Sequence, residues 1–433
     1  MSSTTHDKFS RLAALRPARK RTETAESETR ARGYAPDLPE GSARLAEMLG
    51  ARVSNTGFGE HLAVRRWFSD LSEPEGASLL PATLRLLSPV AAEEAADPRR
   101  WLFLDTETTG LAGGTGTYAF LVGIAWWDAG GLEVEQLFMR DHSEEYSMLA
   151  ALAERMAERP VLVTFNGKTF DWPLLDTRYR MTRSIKSPEP RAHLDFLHPA
   201  RQLWRLRIGS VRLADLERQI LGWRREGDCF SELIPQYYFD FLRGGTPDFL
   251  VPVFHHNQMD LHGLAAIATH MLGLLADPEC RGQHALDMFG VSRLCERRGE
   301  TARAQKFYSR SLAGELPPEA GRLARRSLAR LAKRDGNHDA AVKLWEEMAG
   351  DSSEGLEAYR ELAIYYEHRA HDPYRAASIA KKALAALRRA NRLGTIAAAA
   401  YQKQRKAFEH RLGRLERKAG RTLLDSLEAE SPS

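Results

Sequence analysis

The apolar run Trp101-Leu102-Phe103-Leu104 passes without a turn signal into Asp105, Thr106 and Glu107. Alternate residues of a strand project from one face, so a strand here makes the two carboxylates neighbours. Two anions that close repel each other and resist leaving water, so either one takes up a proton or a cation sits between them. The chain holds three Asp-x-Glu triplets, at 105–107, 215–217 and 277–279. The second lies in a helical pattern and the third contains a proline in a loop, so only the first ends an apolar strand.

Around that strand the pattern is that of a layered domain. Apolar runs at 119–127 and 132–139 flank the turn signal at 128–131, which predicts three adjacent strands. A helical spacing through Tyr146, Leu149, Leu152 and Met156 stops at Pro160, and 161–165 reads as a fourth strand. The segment from Asn166 to Asp171 then opens a helix containing Leu174, Leu175 and Tyr179, 193–197 supplies a fifth strand, and the remainder to Leu275 is mainly helical. A three-strand meander followed by alternating helices and strands predicts an α/β domain with a mixed five-stranded sheet over residues 99–277. Residues 1–40 are polar and basic and are expected to be disordered. Residues 41–98 are expected to form short elements that pack onto the domain.

Past about residue 283 the character changes to Ala, Leu, Arg and Glu at helical spacing. The stretch from Arg293 aligns with that from Arg330, placing Gly299 over Gly336, Ala304 over Ala341 and Tyr308 over Trp345. A looser third copy puts Ala376 over Ala341. The offsets bracket the period of paired-helix repeats, and the segment 283–390 resembles tetratricopeptide (TPR) repeats, with an ordinary helical bundle as the alternative. Residues 391–433 are read as a basic helix and tail.

At 433 residues the chain is too long for one ordinary core, which predicts two or three domains. Its three cysteines form no CxxC pair, which argues against a disulfide framework or a cysteine zinc site and suits a reducing compartment. No apolar signal segment opens the sequence and no uninterrupted apolar run reaches membrane-spanning length, so a soluble cytoplasmic protein without a membrane partner is expected. A net charge of +4 does not by itself demand a polyanionic partner. Two local clusters, Arg16, Arg19, Lys20 and Arg21 near the start and the Lys403 to Arg421 region near the end, are either nucleic-acid contacts or solvated surface.

Asp171 and Asp260 complete a set of four acids with Asp105 and Glu107. Hard oxygen donors without an HExxH pair favour Mg²⁺ or Mn²⁺ over zinc. Two such ions about 4 Å apart stabilise the attacking and leaving oxygens of a phosphoryl displacement. Asp105 is the candidate to bridge both ions, Glu107 and Asp260 to bind one, and Asp171 to complete the other, directly or through water. A base for the attacking water should titrate near neutrality, which points to histidine. His256 stands four residues before Asp260 and is favoured by helix geometry, while an irregular helix start would present His255, five before. Candidate substrate contacts are Thr106 and Thr108 with Gly110, and Asn166 and Lys168, although Asn166 is equally suited to capping the next helix. Gly113 to Gly116 lacks the Lys-Ser or Lys-Thr ending of a P-loop, which disfavours nucleotide hydrolysis. Tyr237, Tyr238 and Phe241 either stack bases or, the favoured reading, fill the core.

The ordered set DTETTGL, NGKTFD and HNQMD resembles the DEDD exonucleases of the ribonuclease H-like superfamily. With GTYAFLVGIAW, LDFLHPARQLW, LERQILGWRREGDCF and IPQYYFDFLRGGTP, the resemblance is closest to the YprB-like branch and covers roughly residues 100–275. It implies a metal-dependent 3′ to 5′ exonuclease acting on DNA or RNA at a 3′ end, with the helical repeats binding a protein partner or steering substrate. At the base the pattern departs. One subgroup has His five positions before its last Asp, matching His255, and the other has Tyr four positions before, often followed by Asn, which aligns with His256 and Asn257. Two rivals stand beside this reading: an inactive nucleic-acid-binding or protein adaptor on the same fold, and a structure-specific endonuclease.

Overall fold

A computed structural model describes residues 40–110, 116–276, 284–350 and 355–429, with side chains described to 419. The predicted tail, apart from Glu40, lies outside these residues, as do the basic cluster at 16–21, the glycines at 113 and 114 and the acidic triplet at 277–279. The chain divides into two compact units, 1–277 and 278–433.

The first unit is built on one seven-stranded sheet with spatial order β1-β2-β5-β4-β3-β6-β7. Its elements in chain order are α1 (Glu40–Leu49), β1 (Arg52–Thr56), β2 (Gly59–Phe68), α2 (Pro81–Leu87), β3 (Trp101–Thr108), β4 (Ala119–Asp128), β5 (Gly131–Phe138), α3 (Glu145–Glu158), β6 (Val161–Thr164), α4 (Asp171–Thr182), β7 (Ala192–Asp195), α5 (Leu197–Ile208), α6 (Leu213–Leu216), α7 (Ile234–Leu242) and α8 (Leu250–Ala276). The sheet therefore has seven strands rather than the five expected. The additional pair is the β1–β2 hairpin, whose β2 runs antiparallel to β5 from Leu62 opposite Phe138 to Phe68 opposite Leu132. That pairing buries Leu62 and Val64 and gives the exposed edge of β5 a partner for its backbone groups.

The meander β3–β4–β5 is antiparallel, whereas β6 and β7 continue parallel from β3. β3 and β6 therefore end at the same edge of the sheet. Ligand crevices of α/β sheets form outside the carboxyl ends of such strands. The Asp105–Glu107 end of β3 is thereby set beside the chain leaving β6 toward Asp171. Trp101, Leu102, Phe103 and Leu104 are buried to 1 % exposure or less, so the strand is anchored immediately behind its acids.

The long helix α8 crosses this sheet. It is apolar and long enough to cross a membrane by length and composition, yet 67 % of its most apolar window is buried within the protein, which marks a core helix. Tyr238 and Phe241 join the core: Tyr238 is fully buried and stacks on Phe120 with ring centroids 4.1 Å apart. Tyr237 stacks on Phe249 at 5.4 Å. The base-stacking role considered for these rings is thus displaced by packing.

The second unit is all-helical: α9 (Ala285–Arg297), α10 (Thr301–Ala313), α11 (Pro318–Arg334), α12 (His338–Ala349), α13 (Gly355–His368), α14 (Pro373–Arg392) and α15 (Ala398–Ala429). Residues that the internal alignment superposes occupy like positions. Gly299 and Gly336 follow helix ends with φ of 77° and 79°, and Ala304, Ala341 and Ala376 are all fully buried. Part of the basic character of α15 is turned inward, where Arg411 and Arg414 contact the buried Glu367 at 2.9 Å and 2.7 Å.

Candidate active site

Four acids from three elements meet at the end of β3. Asp105 and Glu107 are two residues apart on that strand, Asp171 is the first residue of α4, and Asp260 lies in the middle of α8. The α4 amino terminus places the positive end of the helix dipole beside Asp171, which favours a carboxylate there, and the backbone N–H groups of Asp171 and Thr106 donate to that carboxylate. Burial raises the Asp105 carboxyl well above the usual range, and the charges of Asp260, Asp171 and Glu107 raise it further. Glu107 is pushed up to about 8 by burial, with His256 opposing and Asp260, Asp171 and Asp228 adding to the rise. Asp171 is likewise raised by burial, partly offset by hydrogen bonds. Asp105 and Glu107 thus both feel the charges of Asp171 and Asp260, which places the four carboxylates near one another.

The orientation of Asp105 is fixed by a buried polar chain. Asp105, Gly123 and Gln136 are directly opposite one another across β3, β4 and β5. Asn257 of α8 enters over the glycine: its Nδ2 donates to Asp105 Oδ2 at 2.8 Å, and its Oδ1 accepts from Gln136 Nε2 at 2.9 Å. The same Gln136 nitrogen donates to the Phe254 carbonyl at 2.8 Å. Asn257 and Gln136 are exposed by 0 % and 1 %, so their hydrogen bonds compete with no solvent.

The two histidines part company. His256 Nε2 lies 3.3 Å from Asp260 Oδ2 and 3.9 Å from Glu107 Oε1, while its Nδ1 is 2.6 Å from Asp228 Oδ1. Burial lowers the His256 pKa, but the Asp228 hydrogen bond and the charges of Asp260, Glu107 and Asp228 outweigh it and hold the imidazole at about 9. His255 points elsewhere, with Nε2 donating to the Glu226 carbonyl at 3.2 Å, and burial lowers its pKa.

Of the proposed substrate contacts, Thr106 donates its hydroxyl to Asp171 Oδ1 at 2.6 Å and Thr108 donates to the Gly110 carbonyl at 3.0 Å. Both hydroxyls are engaged within the protein. Asn166 adopts φ 76°, and no side-chain bond caps α4, so the capping alternative does not apply. Asp195, at the end of β7, accepts from the backbone N–H groups of Asn166 at 2.9 Å and Lys168 at 3.0 Å and so holds the loop that delivers Asp171. Gly167 is required there because a Cβ would meet the Thr164 side chain at 2.5 Å.

Sequence reasoning missed Gln136, Asn257, Asp195, Asp228 and Arg225. Arg225 forms a two-pronged ion pair with the buried Glu217, both bonds 2.6 Å, and reaches Asp260 Oδ1 at 2.6 Å. Two signals were present. Asn257 lies inside the HNQMD motif, and Gly123 interrupts an otherwise continuous apolar strand, where a glycine marks close approach by another group.

The donor set fits a hard divalent cation. Glu107, His256 and Asp260 offer ligand atoms that all lie within 4.8 Å of one another, and Asp105 and Asp171 add two further half-buried carboxylates that loss of solvent raises above the usual range, Asp105 with the charges of Asp260, Asp171 and Glu107 besides. A cation among them removes the repulsion that raises those values.

The RNase H superfamily model matches residues 102–272, the span that contains all four acids. The chain is 31 % identical over 320 residues to the uncharacterized protein YprB of Bacillus subtilis (strain 168), an alignment covering 73 % of this chain and 74 % of the relative.

Proposed function

The chain belongs to the YprB-like branch of the RNase H superfamily, and from that premise we propose that it is a metal-dependent 3′ to 5′ exonuclease that hydrolyses phosphodiester bonds of DNA or RNA. The observation that carries the reading is the convergence of donors at the end of β3, where Glu107, His256 and Asp260 offer ligand atoms within 4.8 Å of one another and Asp260, Asp171 and Glu107 stand close enough to raise the Asp105 carboxyl. Four acids gathered at one strand end are costly to a fold unless a cation uses them.

In this reading Asp105, Glu107, Asp171 and Asp260 would hold two Mg²⁺ or Mn²⁺ ions. Such ions lower the pKa of bound water and offset charge on the attacking and leaving oxygens of an in-line displacement. The chain supplies orientation and proton transfer. Asn257 and Gln136 hold Asp105 in one rotamer, and Thr106 does the same for Asp171. His256 accepts the proton of the attacking water at Nε2, while Asp228 keeps the Nδ1 proton in place and stabilises the imidazolium that forms. Neutralising Glu107 and Asp260 removes two of the charges that raise His256 and returns the ring toward the range in which a base is effective. Lys168, exposed beside the loop to Asp171, is positioned to meet a substrate phosphate, and the helical unit, read as TPR-like, offers a surface for a partner protein or the substrate's far end.

One contact favours a second reading, a nucleic-acid or protein adaptor. Arg225 places a guanidinium on Asp260, so the chain itself provides a cation at one of the four acids. The readings separate on 3′-labelled and end-blocked DNA and RNA with Mn²⁺, with a covalently closed circle as control. The exonuclease shortens the free 3′ end and spares the circle, and Asp105→Ala abolishes the activity. Cutting of the circle identifies an endonuclease, and no cutting of any substrate identifies the adaptor.

A further inference from the structure

His256 has two edges, and they face different chemistry. Its Nε2 edge meets only carboxylates, whereas its Nδ1 edge meets the loop that carries Asp228 and Cys229. Asp228, Cys229 and His256 present a carboxylate oxygen, a thiol and an imidazole nitrogen that all lie within 4.8 Å of one another. The sequence argued against a zinc site built from paired cysteines; the fold instead brings one cysteine to a histidine and an aspartate.

These donors are held in place by contacts of their own. Arg225 ties the loop to Glu217 and Asp260, the Glu226 carbonyl accepts from His255, and the Cys229 amide donates to Asp228 Oδ1 at 3.0 Å. Cys229 is half-buried and packs against the core of the first unit. Sulfur, nitrogen and a single oxygen suit zinc, whereas Mg²⁺ and Mn²⁺ prefer oxygen alone. Zinc bonds of about 2.0 Å to nitrogen and oxygen and about 2.3 Å to sulfur put tetrahedral donors of this set roughly 3.3–3.5 Å apart. On binding, the Asp228–His256 pair, now 2.6 Å apart, would open and the other donors would stay within or close from the present 4.8 Å limit.

We propose that Asp228, Cys229 and His256 form an inhibitory Zn²⁺ site, with water as fourth ligand, sharing only His256 with the carboxylate centre. On binding, the thiol and the Nδ1–H each release a proton to solvent, and the sulfur, Nδ1 and one Asp228 oxygen each form a bond to the ion; no electron is transferred. An imidazole bound through Nδ1 and neutral overall carries its single proton on Nε2. It then has no lone pair at Nε2 for the attacking water's proton, and Asp228 no longer orients it. Zinc occupancy thus switches the base off without touching the four acids.

The inhibition rests on the exonuclease reading, whereas the binding does not, so the test has two arms on the full chain. In the first, Zn²⁺ affinity is measured by competition with a chromophoric chelator, and Co²⁺ substitution is followed for the near-ultraviolet thiolate-to-metal band. The wild type shows the band; Cys229→Ser loses it and binds Zn²⁺ at least tenfold more weakly. In the second, Zn²⁺ is titrated against Mn²⁺-dependent cleavage. Cys229→Ser keeps the basal rate and needs at least tenfold more Zn²⁺ for half-inhibition, with Cys229→Ala as the alternative should the serine variant fail to fold. Absence of the band in the wild type, or unchanged Zn²⁺ affinity in the variant, overturns the site. A protein that cleaves nothing but shows the band removes the exonuclease reading and leaves the zinc site standing.

Discussion

A Cβ atom on Gly123 would stand 2.1 Å from Asn257 Oδ1, so the glycine of β4 and the asparagine of α8 share one volume. That vacancy lets Asn257 reach between Gln136 and Asp105, two residues on strands separated by β4 itself. Backbone, helix and the Asp105 carboxylate are locked by a single missing side chain.

Gly123→Ala should therefore displace Asn257 and cost about 1–3 kcal/mol of stability through overpacking. Asn257→Leu keeps the volume and leaves the buried Gln136 amide short of an acceptor, at a cost of about 1–3 kcal/mol. Both variants should lose tenfold or more in kcat while KM for the nucleic acid stays within a few-fold, because both residues are buried behind Asp105. Thermal melts and steady-state cleavage rates check both points.

Thr106 supports the third acid in a similar way. Its hydroxyl hydrogen-bonds the Asp171 carboxylate and so lowers a pKa that burial raises. Removing a donor to the charged form moves the pKa further up. Thr106→Val should shift the acidic limb of the pH–rate profile to higher pH and raise the Mn²⁺ concentration for half-activity, and Thr106→Ser should restore both.

The two histidines differ in what they face. His256→Ala is expected to lower kcat by about 10²–10⁴, the usual contribution of a positioned base. His255→Ala removes only a bond to the Glu226 carbonyl and should leave the rate within a few-fold. Reversal of that order in single-turnover cleavage would assign the base to His255.

The acids also set a pH dependence on the metal-free protein. The folded-state pKa of Glu107 is raised from 4.5 to about 8. A group raised on folding contributes stability that is full below its unfolded pKa and is lost as pH climbs through the folded one. Melting temperature in the presence of a chelator should therefore fall between about pH 4.5 and 8, and the increment restored by Mn²⁺ should grow across that window. Titration calorimetry in buffers of different ionisation enthalpy should show protons released on Mn²⁺ binding at pH 7.

Much of this site was legible in the chain because its signals are local. An apolar strand running into Asp105 and Glu107, and the spacing of His256 to Asp260, depend only on period and position. The five strands from β3 to β7 were readable for the same reason: each is an apolar run with a turn or helix beside it. The β1–β2 hairpin was not, since β1, Arg-Val-Ser-Asn-Thr, carries little apolar pattern and owes its place to pairing with β2. Arg225 and Asp228 were hidden because a polar loop reads as solvent-facing, and only tertiary closure over α8 turns the Arg225 guanidinium inward and brings the exposed Asp228 against His256. Thr106 was read as a substrate contact because nothing in its neighbours reveals that Asp171 will stand across from its hydroxyl.

The central claim is that Asp105, Glu107, Asp171 and Asp260 serve one divalent-cation centre. Its most direct test is Mn²⁺ binding followed by electron paramagnetic resonance on the folded wild type and on Asp105→Ala and Asp171→Ala. The account predicts saturable binding in the wild type and at least a tenfold loss of affinity in each variant. Undiminished Mn²⁺ affinity in both folded variants would contradict it.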